Sequence, residues 1–167
     1  MNTCKTLDRA TGRHVADFAP VIPRMRAFAQ CLCGGRDEAD SVVEAALARA
    51  CLDRRGRNAG RSLELRLLTL VRDQSRSNAR VAMAVPPAVS SLANHRASIS
   101  DDDTLRWAMR QLPQDDREAV ALLDGARTPA ADAAAICDCT IATLLNRAAS
   151  ARETLRTLLA TGTLATA

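Results

Sequence analysis

The chain has 167 residues, enough for one ordinary domain or two very small ones. Hydrophobic residues make up 47%, yet Phe18, Phe28 and Trp107 are the only aromatics, and such an alanine- and leucine-rich composition favours helix and argues against a sheet protein, so the expected fold class is all-α. The net charge is +4 with a pI near 9.0, carried almost wholly by arginine (Lys5 is the sole lysine), which admits nucleic acid as a partner, because guanidinium groups pair bidentately with phosphates and base edges.

Residues 1–12 show no period and read as a frayed tail. No apolar run reaches the roughly 18 residues that span a bilayer, and the N-terminal stretch lacks a signal-peptide core. These features predict no membrane insertion and a cytoplasmic chain whose six cysteines stay reduced. A first helix is expected over 20–33, opened by Pro20 and Pro23. The next, over 38–52, places Ala39, Val42, Val43, Ala46, Leu47, Ala50 and Cys51 on one amphipathic stripe, with Asp37 as its cap. Residues 53–61 form a polar, glycine-containing loop, and Ser62 caps a helix over 63–79. That helix would bury Leu63, Leu67, Leu70 and Val71 and carry Arg66, Arg72, Arg76 and Arg80 on its other face.

Residues 81–103, with two adjacent prolines, several serines and a short acid run, read as a flexible linker. The expected organisation is therefore two small helical domains, 12–80 and 104–160, joined by that linker. In the second unit Leu105, Ala108, Met109 and Leu112 pattern a short helix that stops at Pro113. Asp115 and Glu118 read as a capping box for a helix burying Ala119, Leu122 and Leu123, ended by Gly125. Thr128 and Pro129 read as the N-cap and first residue of an alanine-rich helix through Ile136. A tight turn at Cys137-Asp138-Cys139 leads to Thr140, the cap of a last helix to about Leu159, with Ile141, Leu144, Ala148, Leu155 and Leu158 inward.

The pair of helices flanking that turn is a helix-turn-helix pattern, which a plain three-helix bundle would also produce. In the DNA-binding reading the second helix lies in the major groove. Thr140, Thr143, Asn146 and Arg147 stand in its first two turns, asparagine suiting adenine and arginine guanine, while Arg152 farther along suits phosphate. The two C-x-C pairs, Cys31/Cys33 and Cys137/Cys139, fit metal-ligand spacing poorly and read as buried thiols. No paired acid/base set, phosphate-cradling glycine loop or nucleophile–base signature is present, so neither enzyme activity nor a cofactor is expected.

The quoted segments resemble a known family. Residues 108–119, AMRQLPQDDREA, resemble the opening of region 4 of sigma-70 family RNA polymerase sigma factors, and residues 133–147, AAAICDCTIATLLNR, resemble its helix-turn-helix. Residues 36–50, RDEADSVVEAALARA, and 62–73, SLELRLLTLVRD, are similar to region 2. Order, linker and length match the extracytoplasmic-function type, closest in look to the general-stress-response subgroup of alphaproteobacteria. The resemblance implies a transcription-initiation factor that partners core RNA polymerase, promoter DNA and an anti-sigma factor. It places polymerase contact on Asp40, Val43, Glu44, Leu47 and Arg49, and implies −10 contact through region 2, where Arg72, Arg76 and Arg80 lie, and −35 contact through the last helix. Departures stand at Ser41 and Glu44, at Cys51 and Arg66 where tryptophans are usual, and at Ala142 and Leu145 where glycine and lysine are usual. They leave open a second reading, a degenerate sigma-like protein that binds an anti-sigma factor or polymerase without opening promoters.

Overall fold

The computed structural model describes residues 18–52, 62–84 and 101–164, and every regular element among them is helical. The first, α1 (Ile22–Leu32), carries Pro23 in its first turn, where no intrahelical N–H is needed. Next, α2 (Arg36–Leu52) begins after two glycines: the Gly35 carbonyl accepts the Ala39 N–H at 3.1 Å, and the Glu38 carboxylate accepts the Gly34 N–H at 2.9 Å. Asp37, the expected cap, instead lies inside the first turn, where its charge still suits the helix dipole. Ser62 caps α3 (Leu63–Ala84) as expected, its hydroxyl accepting the Leu65 N–H at 3.2 Å.

The later elements are α4 (Asp101–Gln111), α5 (Gln114–Val120), α6 (Ala130–Cys137) and α7 (Ile141–Leu164). Pro113 separates α4 from α5. A π-helical turn, Ala121–Gly125, extends α5, and the Ala126 N–H reaches back to the Ala121 carbonyl at 2.9 Å. The turn lies against α1 so closely that a Cβ on Gly125 would stand 3.0 Å from the Cys31 sulfur. The interval expected to be linker is partly helical: α3 runs through Ala84 and α4 begins at Asp101. The rest of that interval, 85–100, lies outside the described residues, as do the expected tail 1–12 and loop 53–61.

Burial follows the amphipathic stripes. Met25, Phe28, Val42, Ala46, Leu67, Leu68 and Val71 are fully buried among α1, α2 and α3, and Leu122, Ile136, Leu144 and Ala148 among the later helices. The two sets join into one continuous core, with α1 touching the π turn and α3 touching α6. Three residues assigned inward are exposed instead: Cys51, Leu105 and Ile141. Each sits within a turn or so of a helix end. Thr128 also departs from expectation, because Pro129 takes the cap position of α6 and the buried Thr128 hydroxyl makes no capping bond.

Candidate nucleic-acid interface

The helix-turn-helix is built from α6 and α7. Between them Asp138 adopts the left-handed conformation (φ 53°, ψ 47°), and the Cys139 N–H closes on the Ala134 carbonyl at 3.1 Å. Asp and Asn tolerate this region best after glycine, so Asp138 fits the sharp reversal. Thr140 then caps α7: its hydroxyl oxygen accepts the Thr143 N–H at 3.1 Å and lies 2.9 Å from the Thr143 hydroxyl. Leu144, Ala148 and Ala151 anchor α7 in the core. Ala142, Thr143, Leu145, Asn146, Ala149 and Ser150 are exposed.

Arg147 and Arg152 lie on opposite flanks of α7, and each is tied to the neighbouring helix. Arg147 pairs with Asp115 at 2.8 Å, and Arg152 makes a bidentate contact with Asp124 at 2.7 and 2.9 Å. That contact holds the Arg152 proton more firmly than usual. Both pairs are exposed enough to exchange with solvent.

Beneath this helix lies a buried ionic node. Glu118 is 1% exposed, and its two oxygens accept from Arg72 Nε at 2.7 Å and from Arg76 Nε and Nη2 at 2.6 and 2.8 Å. Arg76 Nη2 also reaches Asp115 at 2.5 Å, and Gln114 adds a bond to Glu118 at 3.2 Å. Arg72 spends its other nitrogens on the carbonyls of Ile136 and Cys137, at 2.9 and 3.3 Å, which are among the unpaired carbonyls ending α6. The carboxylates raise the Arg76 pKa, with the Glu118 bond the largest cause. Arg72 and Arg76 thus turn inward, a correction to the expectation that they line an outer face with Arg80, which alone of the three is exposed. Asp115 and Glu118 serve this node, not a capping box, and α5 starts without a side-chain cap. The signal was in the sequence: Arg72 and Arg76 at i, i+4 form one cationic stripe, and Glu118 falls on the apolar face of its helix.

Sequence reasoning also missed Arg117. Its guanidinium donates to the carbonyls of Leu32, Arg110 and Leu112 at 3.4, 3.1 and 3.0 Å, stitching α1, α4 and α5 together, and burial lowers its pKa.

On α2, Asp40, Glu44 and Arg49 are exposed and Leu47 is half-buried; the helical period puts Asp40, Glu44 and Leu47 on one flank and Arg49 on the opposite one. Asp40 pairs with Arg26 at 3.2 Å. Val43 is 3% exposed, which corrects its assignment as a contact residue: it belongs to the core. Arg66, standing where the family has tryptophan, donates from Nη2 to the Ala50 carbonyl at 3.0 Å and so ties α3 to the end of α2. Cys33 and Cys137 are buried free thiols, their pKa values pushed up to about 12 and about 11 by desolvation. Among the described residues no helix is long and apolar enough to cross a membrane.

A helix-turn-helix whose second helix is capped at its start and open along its outer crest is the geometry that helical DNA-reading proteins use. The chain is 35% identical over 150 residues to the ECF RNA polymerase sigma factor EcfG of Rhodopseudomonas palustris (strain TIE-1), across 86% of this chain and 83% of that one. No family model matches. Its fold is similar to that of the sigma factor RpoE solved with the anti-sigma factor NepR from Bartonella quintana (TM-score 0.70, 28% identity, 86% of this chain and 94% of that one). The fold is also like that of CnrH solved with the cytosolic domain of CnrY (TM-score 0.63, 19% identity, 92% and 90% covered). The chain belongs to the extracytoplasmic-function RNA polymerase sigma factors.

Proposed function

We propose that this sigma factor directs core RNA polymerase to promoters by reading the −35 element with α7 and the −10 element with the α1–α3 unit. The observation that carries the reading is the outward crest of α7, capped by Thr140 and open at Thr143 and Asn146. Polymerase contact falls on the accessible flank of α2 formed by Asp40, Glu44 and Leu47, with Arg49 exposed on the other flank. The chain acts in the cytoplasm as a binding protein, with the polymerase supplying the chemistry. An anti-sigma protein of the kind solved with its relative RpoE is its natural antagonist, and general stress response is the setting the EcfG likeness supports.

The Glu118 node ties α3 to α5 and α6, so the described arrangement is a closed form. Arg72 and Arg76 become available to nucleic acid only when the two halves part. That motion breaks the buried node and parts the core that the two sets of helices share, and we take the 81–103 stretch as the connection that allows it.

A second reading is favoured by one observation: Phe18 and Phe28 are both buried, leaving no aromatic side chain of the first half to stack on an unpaired base. A chain of that kind would bind polymerase or an anti-sigma factor without melting DNA. The test is transcription by core polymerase plus this chain on a pool of promoter fragments. Discrete run-off transcripts are expected. Retention of the chain on core polymerase with no transcript and no permanganate-reactive thymines would replace the first reading with the second.

A further inference from the structure

We infer that Leu145, with Ile141 beside it, is a specificity-determining residue that reads thymine methyl groups in the −35 element. This deepens the assignment of α7 as the reading helix and depends on it.

At 3.6 residues per turn, the face of α7 opposite the buried Leu144, Ala148 and Ala151 is Ala142, Asn146 and Ala149. Thr143 and Arg147 run along one flank, and Ile141, Leu145 and Arg152 along the other. Ile141 and Leu145 are 47% and 46% exposed, so each leaves about half its side chain without protein contact. A single exposed leucine means nothing. Two at i, i+4 in the first two turns of a groove-entering helix, next to Asn146, make an apolar strip where base edges pass. From Cys139 to Arg152 the chain carries no acidic residue and two arginines, and the pairs these make with Asp115 and Asp124 are partly exposed contacts that a phosphate can displace.

The chemistry of the major groove selects the occupant. Thymine alone projects a methyl group there, and its partner adenine offers the acceptor–donor pair that an asparagine side chain matches. Asn146 on the crest and Leu145 one residue before it thus suit adjoining A·T pairs. Arg147, set on a flank and paired with Asp115, is less well placed to clamp a base than sequence spacing alone suggests. The lysine usual at position 145 in the family would contact phosphate, and leucine exchanges that sequence-blind contact for one that depends on the base.

The test uses holoenzyme reconstituted with core polymerase and a promoter duplex selected from a pool randomised across the −35 region. The same duplex is then made with uracil for thymine in that region, which removes only the methyl groups. Wild-type holoenzyme is expected to bind the uracil duplex about fourfold more weakly per contacted base, the equivalent of ~0.8 kcal/mol for one buried methyl. Leu145→Ala, a surface change, should bind the two duplexes alike while keeping the preference that Asn146→Ala abolishes. Leu145→Lys should lose the methyl effect and steepen the salt dependence by about one unit. Equal wild-type affinity for thymine and uracil duplexes overturns the inference. If selection enriches no −35 sequence and Asn146→Ala changes nothing, the reading-helix assignment itself has failed, and this inference falls with it.

Discussion

Replacing Glu118 with alanine removes the shared anion from between two guanidinium groups. Arg72 is 14% exposed and Arg76 27%, so neither recovers full hydration when the carboxylate goes. Breaking one side of a buried ion pair costs about 3–5 kcal/mol when the other charge is left stranded. Here Arg72 keeps the carbonyls of Ile136 and Cys137, and Arg76 keeps Asp115, so a cost below that range, about 2–3 kcal/mol, is expected. Glu118→Gln keeps the shape and a carbonyl acceptor and should lose about half as much. The control is Asp124→Asn, which breaks the more exposed pair with Arg152 and should cost under about 1 kcal/mol. Urea unfolding monitored by helical circular dichroism measures all three. Because the node joins the two halves, Glu118→Ala should also speed proteolytic cleavage between residues 85 and 103. A Glu118→Ala protein as stable as Asp124→Asn, cleaved no faster than wild type, would refute the claim that the node holds the closed form.

Gly125→Ala should cost about 1–2 kcal/mol, because its new methyl meets the Cys31 sulfur at 3.0 Å, and pairing it with Cys31→Ala should restore most of the loss in a thermal melt. Thr140→Ala removes the cap of α7 and should lower stability by about 1 kcal/mol, read from the shift in urea midpoint. Burial holds the Cys33 and Cys137 thiols protonated to about pH 12 and about pH 11 against an ordinary 9.0. Since the unfolded chain releases those protons first, the thiols' contribution to stability should be constant below pH 9.0 and be lost as pH rises from there through the folded values. Exposed Cys51 should react with a disulfide reagent at neutral pH well before either, and Cys33→Ala/Cys137→Ala should flatten the alkaline fall.

The helices were legible because periodic burial and local capping agree: Ser62 and Thr140 cap as read, and Val42, Ala46, Leu67 and Leu144 are buried as their spacing implies. Where tertiary contact overrides local chemistry, the sequence misled. Asp115 and Glu118 have capping-box spacing, yet arginines more than thirty residues away engage both, burying Glu118 and leaving Asp115 partly exposed. Val43 carries the same α2 stripe as its neighbours, and only packing tells that it is covered while Leu47 is half open. The flanks of α7 were equally hidden: Arg147 and Leu145 are two residues apart, and the partner that engages Arg147, Asp115, lies on another helix.

Protection of promoter DNA by reconstituted holoenzyme tests the central claim most directly. DNase footprints should cover the −35 and −10 elements of one promoter with the wild-type chain. With Asn146→Ala they should lose the −35 boundary while binding of the chain to core polymerase is unchanged. A wild-type holoenzyme that protects no upstream element, or an Asn146→Ala footprint identical to wild type, would contradict promoter reading by α7.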